Sequence, residues 1–317
     1  MDAALPPSLK LRRGKPGDVI VNSMKKAHWE KNLFELIRRT STDLPADVEA
    51  GLKRTLKNEK KGSRACWVLE TILENAALAR KNDTPVCQDT GALIFYFGVP
   101  VGFDTNALVA MTRSAVSKAT RYGYLRQNTI DSVSGASYET NVAHSSPVFH
   151  FQQRARKTVD VRLVMKGGGC ENVGCQYSLP DASLEAGRDH NGVRRCILDA
   201  VWKAQGKGCS PGVLGVSIGG DRATGHAHSQ EQFLRRLGDK SDVKTLARLE
   251  DRIRRDVQQL GIGPMGLGGR TALLGVKIGA LSRLPACYFV TVSYMCWAFR
   301  RRGALLGPEG GIQRWLF

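Results

Sequence analysis

Apolar positions with helical spacing characterise the first part of the chain. Four segments carry a helical pattern: residues 28–40, 47–60, 65–80 and 105–122. In the third segment, Trp67, Leu69 and Ile72 belong to a broad apolar face, which we expect to pack inward. The pattern therefore predicts a helical N-terminal part of the chain.

Short apolar runs bounded by glycine-rich turns form the second pattern. Strands are predicted at residues 93–101, 147–152, 159–165, 213–218, 271–281 and 287–295. Two further helices are predicted among them, at residues 192–207 and 242–260. This order predicts an α+β (mixed) fold, in which a helical N-terminal part is followed by a strand-rich core with covering helices.

Basic segments flank this core at both ends. Residues 1–24 combine prolines and lysines and are predicted to be a flexible lead-in, and residues 303–317 are predicted to be a basic, glycine-rich tail. The domain between them is predicted at 25–302. It comprises a helical lobe at about 25–125 and a mixed sheet lobe at about 126–302.

The net charge of +18 raises the question of a nucleic-acid partner. The basic residues are spread along the 317-residue chain, without a stripe interleaved with aromatics and without a helix-turn-helix or zinc-finger pattern, so the sequence does not favour nucleic-acid binding. Spread positive charge equally suits a small dianionic substrate or an acidic partner subunit. No apolar leader opens the chain and no long apolar run occurs, so we expect a cytoplasmic protein without a membrane span.

Eight cysteines occur, and none of them forms a CxxC pair. Without an export signal, free thiols or metal ligands are expected rather than disulfides. Three of them lie at loops or strand ends: Cys87, Cys209 and Cys296. Thiols from three distant segments can converge on one iron–sulfur cluster, and a cluster with three cysteines leaves one iron open for Lewis-acid catalysis.

The segment around Cys87 has the composition of a site. Gln88 supplies a neutral hydrogen-bonding group and Asp89 a general acid or base, directly after the thiol. Pro85 stiffens the entry to this loop, and Gly91 permits a positive φ at its exit. The alternative interpretation is a plain turn with one buried cysteine.

Two glycine-rich segments have different interpretations. Gly167, Gly168 and Gly169 follow a predicted strand, where their backbone amides can bind an anion, although a simple turn explains them equally well. Residues 261–266 match GxGxxG formally. A helix precedes them and Pro264 stands within them, so we reject a dinucleotide site.

Taken together, five motifs resemble those of the iron–sulfur-dependent hydro-lyases, that is, class I fumarases and the alpha subunit of L(+)-tartrate dehydratase. The motifs are PVCQDTG (85–91), KGGGCEN (166–172), GCSPGVLGVSIGG (208–220), GIGPMGLGG (261–269) and CWAFRR (296–301). The resemblance extends from about residue 25 to residue 302. It identifies the predicted domain as an alpha-type catalytic domain of this family.

The resemblance implies a [4Fe–4S] cluster and a set of site residues. The implied cluster ligands are Cys87, Cys209 and Cys296, with Cys287 as the rival for the third position. Cys170 replaces a residue that is often serine in the family, so it is not counted as a ligand. The implied substrate site consists of Gln88 and Asp89 as catalytic residues, and Arg126, Gly167, Gly168 and Gly169 as substrate-binding residues.

The resemblance also implies an activity and a partner. The activity is dehydration of a 2-hydroxy dicarboxylate, either L(+)-tartrate to oxaloacetate or malate to fumarate. The partner is a beta subunit that carries the rest of the active site, which gives a heterotetramer of two alpha and two beta subunits. The competing hypothesis is a non-enzymatic basic binding protein whose cysteines are structural.

Overall fold

The computed structural model describes residues 26–317. The first part of this region is helical. In chain order, the α-helices are α1 (Lys26–Thr42), α2 (Ala46–Asn58), α3 (Arg64–Asn82), α4 (Thr105–Arg121), α5 (Gly168–Asn172), α6 (His190–Ala204), α7 (Arg222–Glu231) and α8 (Lys244–Gln258). The helical N-terminal part is confirmed. Within α3, Leu69 and Ile72 are buried as predicted, but Trp67 is 73% exposed and does not belong to the inward face.

The strands belong to two sheets. They are β1 (Ala92–Pro100), β2 (Val148–Arg154), β3 (Val159–Lys166), β4 (Cys175–Ser178), β5 (Gly212–Ile218), β6 (Leu273–Ala280), β7 (Phe289–Met295), β8 (Arg300–Leu306) and β9 (Ile312–Trp315). The first sheet has the order β2-β1-β3-β8-β9, and the second has the order β4-β7-β5-β6. Both sheets mix parallel and antiparallel pairs, so the predicted α+β (mixed) fold is confirmed.

Each sheet has its own apolar core. Alternate side chains of β1, including Phe95 and Phe97, face one core that also contains Trp29 and Leu33 of α1. In the second core, α6 and α8 pack against the second sheet through side chains such as Ile197. Helices thus cover both sheets, as the sequence predicts for the strand-rich part.

A third apolar cluster joins the helices to the ends of both sheets. It combines Leu69 of α3, Val164 of β3 and Met295 of β7. Cys170 and Cys296 are buried in this cluster, and Cys87 and Cys209 are partly buried against it. The cluster therefore places four of the eight cysteines in the same region of the molecule.

The C-terminal segment differs from the prediction of a basic tail at 303–317. β8 extends to Leu306 and pairs with β3, and β9 pairs with β8. Three consecutive arginines favour an exposed segment, but Arg301 is fully buried because Asp47 of α2 pairs with it. The predicted lead-in at 1–24 lies outside the described residues.

Besides β8 and β9, three short elements do not appear in the sequence prediction. They are α5, β4 and α7. The glycines at the start of α5 favour a turn, and Asp221 supplies the capping box at the start of α7. Among residues 26–317, no helix is both long enough and apolar enough to cross a bilayer.

Candidate active site

The loop with Cys87 follows α3 and is fixed by backbone contacts. The N–H of Val86 donates to the carbonyl of Ser41 at 2.9 Å, and the side-chain amide of Asn75 donates to the Val86 carbonyl at 2.9 Å. Cys87 is partly buried, whereas Gln88 is exposed with its Oε1 3.7 Å from the Cys87 Sγ. The anchored loop therefore presents the thiol and the amide side by side.

Asp89 joins the Cys87 loop to the glycine-rich segment. Its Oδ1 accepts a hydrogen bond from the Gly91 N–H at 2.9 Å, and its Oδ2 accepts one from the Gly168 N–H at 2.8 Å. A Cβ on Gly167 would lie 2.6 Å from Asp89 Oδ2. Glycine at position 167 thus permits the approach of the carboxylate, and the amide of Gly168 holds it.

The contact also constrains the predicted role of the glycines. The Gly168 N–H already has the Asp89 carboxylate as its acceptor. The Gly168 amide is therefore not free to bind a substrate carboxylate. Such binding stays a prediction for the backbone amides of Gly167 and Gly169.

Arg126 lies beside the same loop because Thr90 holds its backbone. The buried hydroxyl of Thr90 accepts a hydrogen bond from the Arg126 N–H at 2.8 Å and donates to the Arg126 carbonyl at 3.1 Å. The side-chain amide of Asn141 donates to the same carbonyl at 2.7 Å. The Arg126 side chain is exposed, and no carboxylate of residues 26–317 forms an ion pair with it. An exposed guanidinium on a backbone fixed next to the Asp89 loop can bind an anion.

Cys209 lies in the turn before β5, with a positive φ of 53°. The turn is supported by the segment that matches GxGxxG: Ser210 Oγ donates to the Gly263 carbonyl at 2.7 Å, and the Met265 N–H donates to the Ser210 carbonyl at 2.8 Å. The glycines at 261–266 therefore pack against the Cys209 turn. This is a structural role, in agreement with the rejection of a dinucleotide site.

Cys296 follows β7 and meets the Cys209 turn. The N–H of Trp297 donates to the Cys209 carbonyl at 3.1 Å, which ties the two cysteine segments together. Burial raises the pKa of the Cys209 thiol, and the neighbouring Cys296, Cys87 and Asp89 raise it further. The structure thus brings together the three predicted thiols and the carboxylate.

Cys170 is a fourth thiol in this region. The N–H of Cys296 donates to the Cys170 Sγ at 3.2 Å. The neighbouring Cys296 lowers the pKa of the Cys170 thiol, whereas Cys170 and complete burial raise the pKa of the Cys296 thiol well above its usual range. Cys170 therefore supports Cys296 directly.

Cys287, the rival for the third ligand position, lies at the other end of β7. It precedes the strand, whereas Cys296 follows it. Nine residues of extended chain span about 30 Å. Its neighbours are the loop residues Arg283 and Leu284, so the structure does not bring Cys287 to the other thiols.

Two charged residues near Asp89 were missed by the sequence analysis. Lys166, at the end of β3, is only 1% exposed and forms an ion pair with Glu171 of α5 at 2.6 Å. Both residues and Asp89 line a cavity of about 440 Å³ together with Asn128 and Thr129. The sequence signal for Lys166 was its position at the end of an apolar strand and directly before three glycines.

A second cavity, of about 510 Å³, lies elsewhere. Its lining includes Tyr96, His150, Glu231 and Arg235. None of the predicted site residues contributes to it. Although this cavity is larger, the chemistry of the site is concentrated at Asp89.

The donor set can be compared with the metal group that the resemblance implies. Among residues 26–317, no three His, Cys, Asp or Glu side chains converge on a single metal ion. An iron–sulfur cluster has a different requirement, because its thiolates bind separate irons. Cys87, Cys209 and Cys296 lie in or against the same apolar cluster, and the buried guanidinium of Arg300, four residues after Cys296, has two nitrogens without hydrogen-bond partners among residues 26–317. Several thiols with an unmatched buried cation fit a negatively charged cluster.

The two-sheet α+β fold carries thiols and a carboxylate on converging loops, which is an arrangement typical of an enzyme active site. The family model for fumarate hydratase (Fumerase) matches residues 30–304. The chain belongs to this family.

Three relatives illustrate the similarity. The chain is 45% identical over 292 residues to a Geobacillus stearothermophilus protein whose name refers to fumarate hydratase class I; the match covers 90% of this chain and 57% of that protein. It is 30% identical over 275 residues to a Methanocaldococcus jannaschii protein whose name refers to the alpha subunit of L(+)-tartrate dehydratase, with coverages of 85% and 94%. The L(+)-tartrate dehydratase alpha subunit of Escherichia coli K12 is 30% identical over 270 residues, with coverages of 84% and 86%. The chain thus spans little more than half of the first relative and most of the other two.

Proposed function

We propose that this chain is the alpha-type part of a [4Fe–4S]-dependent hydro-lyase that dehydrates a 2-hydroxy dicarboxylate. The observation that supports the proposal is that Cys87, Cys209 and Cys296 lie in or against one apolar cluster, on loops that include the anchored carboxylate of Asp89. The names of the relatives refer to fumarate hydratase and to L(+)-tartrate dehydratase, which both belong to this reaction class.

Cys87, Cys209 and Cys296 would hold the cluster. When bound, a cluster with three protein ligands supplies an iron that acts as a Lewis acid toward a substrate oxygen. The hydrogen bond from the Trp297 N–H to the Cys209 carbonyl joins the segments that carry two of these ligands. Contacts of this kind fix the direction of metal ligands in proteins.

Asp89 is proposed to exchange a proton with the substrate hydroxyl group. Its two backbone hydrogen bonds, from the Gly91 and Gly168 N–H groups, fix the orientation of the carboxylate. Gln88 is exposed on the same loop, where its amide can donate to a substrate oxygen. Proton transfer by a positioned carboxylate contributes roughly 10²–10⁴-fold to a rate.

Arg126 is proposed to bind a substrate carboxylate. Its backbone is fixed by Thr90, one residue after Asp89, and its guanidinium is exposed. A guanidinium can form two parallel hydrogen bonds with a carboxylate, which orients the substrate. The amides of Gly167 and Gly169 are the candidates for the second carboxylate.

The proposed partner is a beta subunit that supplies the remaining catalytic groups, in a heterotetramer of two alpha and two beta subunits. The support is the name of the tartrate dehydratase relatives, which refers to an alpha subunit, and the extent of the match to them. Activity that this chain shows alone would contradict the dependence on a partner.

Malate and fumarate are the favoured substrates, because identity is higher to the relative named for fumarate hydratase. The test is anaerobic iron–sulfide reconstitution of the chain co-expressed with its beta-type partner, followed by assays with malate, fumarate and L(+)-tartrate. We expect about four irons per alpha chain, as in a [4Fe–4S] cluster. C87S should lose both the iron and the activity, whereas C66S should retain them because Cys66 lies in α3. A colourless protein with salt-sensitive DNA affinity would favour a basic binding protein instead.

A further inference from the structure

Arg300 is a buried cation without an ionic partner. Its side chain is 1% exposed, and its Nε and Nη1 have no hydrogen-bond partner within residues 26–317. No carboxylate of the described chain forms an ion pair with it, whereas Arg301 pairs with Asp47 and Arg302 with Asp43. Of the three consecutive arginines, only Arg300 therefore lacks a counter-charge in the described structure.

An unpaired guanidinium in the interior destabilises a fold, because burial removes its hydration without replacing it. The packing around Arg300 does not relieve this cost, since two of its nitrogens remain unsatisfied within residues 26–317. Arg301 also has two unsatisfied nitrogens, but the carboxylate of Asp47 compensates its charge. A negatively charged group that binds next to Arg300 after folding would supply the missing counter-charge.

The position of Arg300 indicates where that charge would lie. Arg300 begins β8 four residues after Cys296, and it pairs in register with Met165, the neighbour of Lys166. Its backbone N–H donates to the carbonyl of Ala298 at 2.8 Å, in the short turn that joins Cys296 to β8. Lys166, the residue after Met165, is also buried. The unpaired guanidinium thus belongs to the residue at the end of the Cys296 turn, and the nearest proposed negative group along the chain is the cluster with its thiolates.

We propose that Arg300 is a positioning residue that serves as the fixed counter-charge of the iron–sulfur group at Cys296. This inference rests on the proposed function. A buried positive charge beside an iron–sulfur cluster stabilises its more reduced, more negative state, so it raises the reduction potential. Arg300 also favours retention of the cluster, because loss of the cluster leaves the guanidinium unpaired again.

The test uses the reconstituted complex with the wild-type chain and with R300M, R300K and R301M. Three quantities are measured: iron and sulfide content, the midpoint potential of the cluster, and the Tm of the iron-free protein. Methionine has a similar length but no charge, and lysine keeps the charge. R301M is the matched control, because it removes an equally buried arginine that has a carboxylate partner.

For R300M we expect an iron-free Tm equal to or above that of the wild type, because an unsatisfied buried charge is removed. The midpoint potential of its cluster should be more negative, with lower iron retention, and R300K should restore both toward the wild-type values. R301M should lower the iron-free Tm by at least about 2 °C and leave the potential unchanged.

Two results would overturn the inference alone. The first is an iron-free Tm that falls in R300M as it does in R301M, which indicates a structural role for Arg300. The second is a potential that is the same in R300M and the wild type. If the wild-type chain itself takes up no iron, the proposed function fails and the inference fails with it.

Discussion

The Oδ2 atom of Asp89 accepts a hydrogen bond from the backbone N–H of Gly168 at 2.8 Å. This contact joins two segments that are 79 residues apart in the chain. It makes the position of the proposed catalytic carboxylate depend on the glycine-rich loop. The glycines therefore act on the site through Asp89 as well as through any contact with substrate.

Substitution of Asp89 by asparagine should abolish most of the activity. D89N removes the proton acceptor and places an amide where the carboxylate accepts the Gly91 and Gly168 hydrogen bonds. We expect kcat to fall by roughly 10²–10⁴-fold, with a loss of about 1–2 kcal/mol in the free energy of unfolding. Steady-state kinetics with malate and urea denaturation measure the two effects.

Asp104 provides a control for Asp89. Its carboxylate caps α4 by accepting a hydrogen bond from the Ala107 N–H at 3.0 Å, away from the thiols. D104A should lose about 1 kcal/mol of stability with unchanged kcat. Equal loss of kcat in D104A and D89N would mean that stability alone controls the activity.

A methyl group at Gly167 should displace Asp89, whereas one at Gly168 should be tolerated. The added Cβ would lie 2.6 Å from Asp89 Oδ2 at position 167, but 3.9 Å from it at position 168. We expect G167A to cost about 1–3 kcal/mol in unfolding free energy and to lower kcat/KM strongly. G168A should change both by much less, and similar kinetics for the two variants would contradict the steric argument.

The sequence was sufficient where the relevant residues are neighbours in the chain. Cys87, Gln88 and Asp89 form one motif, so their grouping needs no tertiary information. The main helices follow from their apolar period, since helix faces repeat every three to four residues. The spacing of apolar residues does not show how much of a helix face is covered by the rest of the protein. Trp67, at the start of α3, belongs to the apolar pattern but remains 73% exposed.

Pairing between distant segments was not predictable in the same way. Arg301 and Arg302 lie in a run that is typical of a surface, and only the fold brings Asp47 and Asp43 to them. The contact of Cys170 with Cys296 likewise joins residues 126 positions apart. The preference for Cys296 over Cys287 as third ligand stays a prediction, and it is supported by the contact of the Cys296 end of β7 with the Cys209 turn.

The two cysteines flanking β7 should therefore differ in their effect on iron binding. C296S should lose the cluster, because Cys296 lies beside Cys209, while C287S should retain about four irons per chain. Iron and sulfide analysis after anaerobic reconstitution measures the difference. If C287S loses the iron and C296S keeps it, the assignment of the third ligand is reversed.

Lys277 should make stability rise with pH in the alkaline range. The side chain is 3% exposed, and its Nζ donates to the carbonyls of Leu237, at 2.9 Å, and Asp239. Burial is the main cause that lowers its pKa from 10.5 to about 8, and this net value includes a smaller lowering by the nearby Arg235 and an opposite effect of Glu250. Below pH 8 both the folded and the unfolded states are protonated, so the full cost of the buried charge is present.

Between pH 8 and 10.5 the folded protein loses the Lys277 proton while the unfolded chain keeps it, so the free energy of unfolding should increase with pH. The gain from this group is about 3 kcal/mol at most, since one pKa unit corresponds to roughly 1.4 kcal/mol. Urea denaturation of the wild type and of K277M at pH 7 to 10 isolates the contribution, because thiol titration is common to both proteins. The difference between the two proteins should rise with pH, and K240M, which alters a lysine with a 70% exposed side chain, should follow the wild-type curve. A constant difference between wild type and K277M would show that Lys277 has the same pKa in both states.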